Sequence, residues 1–201
     1  MSLRDRKRAR TRQALIDAAV ELFERQGYDG TTVADIAAAA EIGTRTFFSY
    51  FASKEELLFP ESDARVRAVT EAIAGRAPEE GPAEVLLRAL GTVPDTGDDL
   101  VSPLAALRLR LIRTVPAVRG RALQLQLDAQ QQIAGQLAEA FPDRIDPVGA
   151  AALTGAFIGA ITGALQALLD TLDEPATPAD LHASIRQATD LALSPWRQQA
   201  R

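Results

Sequence analysis

An all-α fold of about nine helices is what this sequence predicts, and three observations carry the prediction. Of the 201 residues, 38 are Ala and 25 are Leu, the two residues near the top of the helix-propensity scale. Aromatics make up only 5%, and the β-branched runs that strands need hardly occur. Apolar residues recur at helical spacing between breaks rich in Pro, Gly and Asp. At 47% hydrophobic and 24% charged residues, the length suffices for one or two domains with a real core. No internal repeat or low-complexity tract interrupts the pattern.

The elements follow in order. From Asp5 to Gln26 the apolar residues Ala14, Leu15, Ala18, Ala19, Leu22 and Phe23 form the stripe of an amphipathic helix, which Gly27 closes. After the loop Tyr28-Asp29-Gly30, Thr31 or Thr32 caps the short helix VADIAAAA. Glu41-Ile42-Gly43 is a tight turn, and Thr44 to Tyr50 is a second short helix. Ser53 and Glu56 form an S-x-x-E capping box that opens a helix reaching about Arg76, with Pro60 set to kink or interrupt it. Residues 77–82 and 92–103 read as loops around a short helix at Ala83–Leu90. Pro103 starts a helix to about Arg113, and Pro116 breaks it. Long helices then run over Ala117–Ala140 and from about Asp146 to Leu172, and a last one from Pro178 to Leu193.

Composition also narrows the chemistry. With no Cys and one histidine, His182, thiol nucleophiles, disulfides and Cys-based zinc sites are excluded, and no acid/base or nucleophile constellation emerges. No catalytic residue, metal site or cofactor is expected. His182 reads as a surface or interface histidine. The N-terminus has no apolar segment after its charges, so no signal peptide is read; this and the missing Cys fit a cytoplasmic protein. The net charge of −5 is unevenly spread, because residues 1–12 hold six basic side chains and one acidic, and residues 13–60 hold three basic and eight acidic.

Two short helices joined by three residues are a helix-turn-helix by spacing, which packing alone also produces. The residues decide: Thr32-Val33-Ala34-Asp35-Ile36-Ala37, then Thr44-Arg45-Thr46-Phe47-Phe48-Ser49-Tyr50-Phe51-Ala52-Ser53-Lys54-Glu55-Glu56-Leu57. Over about residues 8–58 the chain resembles the TetR family of bacterial transcriptional regulators. Thr44, Arg45 and Thr46 open the helix that such a motif lays in the major groove, with Arg45 suited to a bidentate contact with guanine. A solvated surface arginine is the plainer alternative. By resemblance Tyr50 and Lys54 touch phosphates, and Thr32 offers a hydroxyl and N–H groups to one. Glu41 stands where the family prefers Gly, so the turn is made without glycine. Gly43 replaces a Ser or Thr and shifts or removes the usual cap. Phe48 replaces a Tyr, which puts that phosphate contact in doubt. Of the basic run Arg4, Arg6, Lys7, Arg8, Arg10 and Arg12, part, with Arg4, Arg6 and Arg8 as candidates, is expected to follow the DNA backbone or enter the minor groove as an arm, a solvated or frayed terminus being the plainer alternative.

Residues 148–169 hold no charge over 22 positions, long enough to cross a bilayer. Acidic flanks at Asp146, Asp170 and Asp173, without a cluster of Lys or Arg, argue for a buried helix and against a membrane span. Gly155, Gly159 and Gly163 make a small-residue stripe for close helix contact, with Ile161 beside it. The resemblance implies that the last two helices pair with their symmetry mates, and the stripe either serves that homodimer or faces its own subunit. Residues 1–53 would then be the DNA-binding domain and 54–201 the effector-binding and dimerisation domain. Leu86, Leu90, Leu107, Arg108, Leu111, Leu127 and Gln131 are candidates for lining the effector cavity, with plain core or exposed surface as the alternative role. Residues 106–141 have a look similar to acyl-CoA-like ligand-binding halves of the family. The expectation is a dimeric regulator, a repressor released from a palindromic DNA operator by a small hydrophobic or amphipathic effector. A constitutive DNA-binding protein and a small helical carrier or enzyme are the alternatives.

Overall fold

Helix starts in this chain are set by a few short-range devices, capping side chains at some and proline at others. The computed structural model describes residues 2–60, 62–92, 102–171 and 178–198, and among these lie nine α-helices, one 3-10 turn and no strand. Helix α1 runs Leu3–Gln26. The Asp5 N–H donates to the Ser2 hydroxyl at 3.1 Å and the Ser2 N–H donates to the Asp5 carboxylate at 2.9 Å, a reciprocal cap. The basic run therefore occupies the first turns of a helix and is not an extended arm. Gly27, at φ 80, ends α1.

Thr32 and Asp35 repeat the reciprocal cap at α2, Val33–Ala39. The helix stops in a Schellman turn, with the Glu41 N–H on the Ala38 carbonyl at 3.0 Å and the Ile42 N–H on the Ala37 carbonyl at 2.9 Å. That turn holds Glu41 at φ 55, the left-handed region that favours glycine. The turn is thus made without glycine, against a conformational strain. Helix α3, Thr44–Phe47, is shorter than the 44–50 expected, and its cap residue Gly43 supplies no side-chain bond. Beyond Phe47 the chain tightens to bonds from Ser49 to Thr46 and Tyr50 to Phe47, and the Ser49 hydroxyl donates to the Thr46 carbonyl at 2.6 Å, competing with helical pairing.

The capping box expected at Ser53 and Glu56 does not form. Glu56 accepts from the Ala52 N–H at 2.8 Å and pairs with Arg121 at 2.8 Å, while Ser53 hydrogen-bonds Glu55. Residues Glu55–Leu58 make a 3-10 turn, and α4 begins only at Ser62, running to Ala74. The single helix expected over 53–76 is split at Pro60, which has no N–H to continue it.

The remaining five helices open on proline: α5 Pro82–Thr92, α6 Pro103–Thr114, α7 Pro116–Ala140, α8 Pro147–Thr171 and α9 Pro178–Gln198. A fixed φ and a missing N–H suit the first helical position. Helix α9 passes through Pro195 instead of ending at Leu193, and the Leu191 carbonyl four residues back is met by the Ser194 hydroxyl at 3.0 Å. The loop expected at 92–103 lies almost wholly outside the described residues.

Packing divides the chain into two units, residues 1–60 with 102–123, and residues 61–101 with 124–201. The sequence division at 53/54 follows the motif, whereas this grouping follows contact. In the first unit, Leu15, Leu22 and Phe23 of α1 pack with Ile36, Phe47, Phe51, Leu57 and Leu58, and with Leu107, Leu111 and Val118 from α6 and the start of α7. The small Ala19 and Ala37 in this core let short helices approach closely. In the second unit, Ile73, Val85, Leu86 and Ala89 meet Ile133, Leu137, Phe141, Leu153, Phe157 and Leu193. Each fully buried large side chain contributes about 1.5–3 kcal/mol.

Candidate nucleic-acid interface

The surface end of the helix-turn-helix is built outward from a buried aromatic. Phe47 is fully buried, and it anchors α3 so that Thr44, Arg45 and Thr46 on the same four-residue helix are exposed. Phe48 is 56% exposed and stands edge-on to Phe47, with ring centroids 5.3 Å apart. Arg45 thus projects from a helix held to the core through Phe47.

Two arginines of α1 brace the exit of α3. The Arg8 guanidinium lies 5.0 Å from the Tyr50 ring centroid and donates to the Ser49 carbonyl at 3.2 Å. One turn further, Arg12 lies 4.8 Å from the Phe51 ring and donates to the Pro60 carbonyl at 2.9 Å. Arg8, Arg4 and Arg6 are all exposed on the first turns of α1, and Arg8 is also engaged with the protein itself. Arg6 lines an open groove with Lys7 and Arg10, flanked by Leu3 and Ala14 on α1 and by Ala40 and Ile42 at the α2–α3 turn. The sequence places Lys7, Arg10 and Arg12 in the basic run alone; the brace by Arg8 and Arg12 joins residues 41 and 48 positions apart and has no local signal.

At the start of α2 the Thr32 hydroxyl and backbone N–H both donate to the Asp35 carboxylate, at 2.6 and 2.9 Å. These bonds hold the Asp35 carboxyl below its ordinary range. A phosphate at Thr32 has to displace that carboxylate. Lys54 is half-buried, its ammonium 2.9 Å from the Tyr28 carbonyl and 3.1 Å from the Thr31 carbonyl. Tyr28 donates its hydroxyl to Glu55. Burial foremost, then Glu55, drives the Tyr28 hydroxyl well above its usual value. For Glu55 burial pushes the carboxyl up, but bonds from Ser53 and Tyr28 and the Lys54 charge outweigh it, and the net shift is downward.

The residues considered for an effector cavity are divided between the two units. Leu107, Arg108 and Leu111 are buried in the first unit, where Arg108 donates to the Leu58 carbonyl at 3.2 Å. Leu86 and Leu90 belong to the core of the second unit, and Leu127, at 60%, and Gln131 are exposed on α7. The glycine stripe on α8 also divides. A Cβ on Gly155 would meet the Gln130 amide of its own subunit at 3.0 Å, whereas one on Gly159 or Gly163 would meet nothing within 4 Å. Ile161 packs against its own core, and His182 is half-buried. The span Pro147–Leu168 is long and apolar enough to cross a membrane, and 22% of it is buried. Among the described residues no group of three or more His, Asp or Glu is placed to hold a metal.

Comparison with known proteins agrees with this geometry. The family profile described as bacterial regulatory proteins, tetR family, matches residues 15–59. The HTH-type transcriptional regulator TcmR of Streptomyces glaucescens is 39% identical over 140 residues, 68% of this chain and 61% of that protein, so the match spans less than two thirds of the relative. Among solved structures, a TetR-family regulator from Syntrophomonas wolfei superposes with a TM-score of 0.65 at 17% identity, over 92% of this chain and 96% of the other. Thermus thermophilus FadR, a TetR-family repressor in complex with lauroyl-CoA, gives a TM-score of 0.53 at 23% identity, over 90% of this chain and 93% of the other. These two likenesses are of fold.

Proposed function

Since the chain belongs to the TetR family of bacterial transcriptional regulators, we propose that it acts as a cytoplasmic homodimer that represses from a palindromic operator and is released by a small hydrophobic or amphipathic effector. One observation carries the DNA half of this reading: Thr44, Arg45 and Thr46 are exposed on a helix pinned through the fully buried Phe47. Arg45 takes the bidentate contact to guanine, with Thr44 and Thr46 beside it. Tyr50, Arg4 and Arg6 supply backbone contacts, which position without specifying. Phe48 has no hydroxyl and offers apolar contact alone.

The dimer reading is supported by α8. A helix without charge over residues 148–168 is only partly covered in the single chain, with Val148 77% exposed and Gly159 and Gly163 open. Leu191 on α9 is likewise 77% exposed. A second copy laid against these helices buries that surface and supplies a second α3, as a palindrome with half-sites about 34–36 Å apart requires. For the effector, lauroyl-CoA in the T. thermophilus repressor supports an acyl-CoA-like molecule, held by the second unit. A coupling of about 1–3 kcal/mol changes operator affinity roughly 5- to 150-fold.

The test is a binding titration against a duplex that the protein itself selects from a random-sequence pool, at several salt concentrations. Arg45→Ala is expected to cost about 1–3 kcal/mol and relax the base preference at one position of each half-site. Equal affinity for selected and random duplexes, with Arg45→Ala silent, overturns the proposal. Acyl-CoA added to the complex is expected to release the duplex.

A further inference from the structure

We infer that Phe48 is a specificity-determining residue that packs on the 5-methyl group of a thymine next to the base pair read by Arg45. The inference rests on the DNA-binding function proposed above and deepens it. Phe48 follows α3 at φ −66 and ψ −9, still in helical geometry, and its N–H donates to the Thr44 carbonyl at 3.4 Å. Residues three and four apart are neighbours on a helix surface. Phe48 therefore stands one turn on from Thr44 and Arg45, and all three are exposed. Three residues advance a helix by about 4.5 Å, little more than the roughly 3.4 Å between successive base pairs. A helix lying along the major groove brings Phe48 to the step beside Arg45.

What the ring recognises follows from what it lacks. A phenyl group has no N–H or O–H to give and no lone pair to offer, so it makes no hydrogen bond to a phosphate or to a polar base edge. The apolar group that base pairs present in the major groove is the thymine methyl, which A·T pairs carry and G·C pairs do not. The ring is also oriented in advance. It stands edge-on to the fully buried Phe47, with 81° between the ring planes and the centroids 5.3 Å apart, an arrangement that aromatic pairs favour. Little rotamer freedom is then lost on binding, and at 56% exposed the residue has apolar surface left to bury.

The methyl itself is the readout. In the duplex that the protein selects, each thymine is replaced in turn by deoxyuridine, which removes only the 5-methyl group, and binding is measured for the wild type, Phe48→Ala and Arg45→Ala. The wild type is expected to lose about fourfold in affinity per half-site at a thymine adjacent to the position whose base preference Arg45→Ala relaxes. Phe48→Ala is expected to bind the thymine duplex more weakly and to lose nothing further on deoxyuridine, whereas Arg45→Ala keeps the loss. A wild type indifferent to deoxyuridine there, no thymine selected there, or an equal loss in Phe48→Ala overturns the inference. A ring packed on sugars, which every sequence offers, gives the first of these results. Thermal melting without DNA checks that Phe48→Ala folds, and if it does not, Phe48→Ser takes its place. A wild type that selects no sequence removes the DNA reading itself, a result distinct from a selected duplex whose methyl groups go unread.

Discussion

Glu41 sits at φ 55 in the turn between α2 and α3, where a side chain crowds the following carbonyl and glycine does not. Glu41→Gly relieves that crowding and gives back part of the gain as extra freedom of the unfolded chain. The expected outcome is a rise in stability of roughly 0.5–1 kcal/mol by chemical denaturation; a loss would mean that the Glu41 side chain makes a contact worth more than the strain. Glu55 gives a pH signature. Its carboxyl lies below the ordinary 4.5 in the folded chain, so folding sheds a proton between the two values. The stability it contributes is full above about pH 4.5 and is lost as pH falls through the lower folded value. Glu55→Gln is expected to flatten this part of the acid-unfolding curve, and an unaltered acid limb would move the effect to other carboxylates such as Glu80, which Arg88 holds low by its hydrogen bond. At this scale the sequence names residues better than partners. Lys54 is picked out by its place in the motif, but the two carbonyls it binds lie 23 and 26 positions earlier, beyond any local pattern.

Helices were legible where their causes are local. The stripe from Leu15 to Phe23, the prolines at 103 and 116 and the Thr32 cap each act within one or two turns, and α1, α2, α6 and α7 lie where those signals put them. Errors arise where a distant group intervenes: Glu56 has the spacing of a capping residue, but Arg121, 65 positions on, takes its carboxylate. In α1 only the start differs, at Leu3 in place of Asp5, because Ser2 and Asp5 form a cap inside what reads as a charge run. That cap is testable. In Ser2→Ala with Asp5→Ala the first turn of α1 is expected to fray, losing hydrogen-exchange protection of the amides around Arg6 and Lys7, whereas global melting stays put. The candidate interface was legible on the same terms, since Arg45 and its neighbours need only a short helix to be presented. The brace by Arg8 and Arg12 was not, because it joins α1 to residues 49–60 through space.

At the scale of the whole molecule, α8 makes the strongest prediction. Gly163→Glu puts a charge on a face that is open in one chain and covered in the proposed dimer, and is expected to shift sedimentation from dimer to monomer. Gly155→Ala, whose new methyl meets only the movable Gln130 side chain, is expected to leave assembly unchanged. A dimer that survives Gly163→Glu places the interface elsewhere. The core of the first unit has a different consequence, for the order in which the protein folds. Leu107, Leu111 and Val118 complete a core whose other members end at Leu58. A chain leaving the ribosome has made its DNA-reading helices roughly 60 residues before the side chains that close their core, a wait of about 3–12 s at ordinary synthesis rates. During that interval the core of the DNA-reading helices lacks three of its buried side chains, so a fragment ending near Leu58 is an incomplete folding unit.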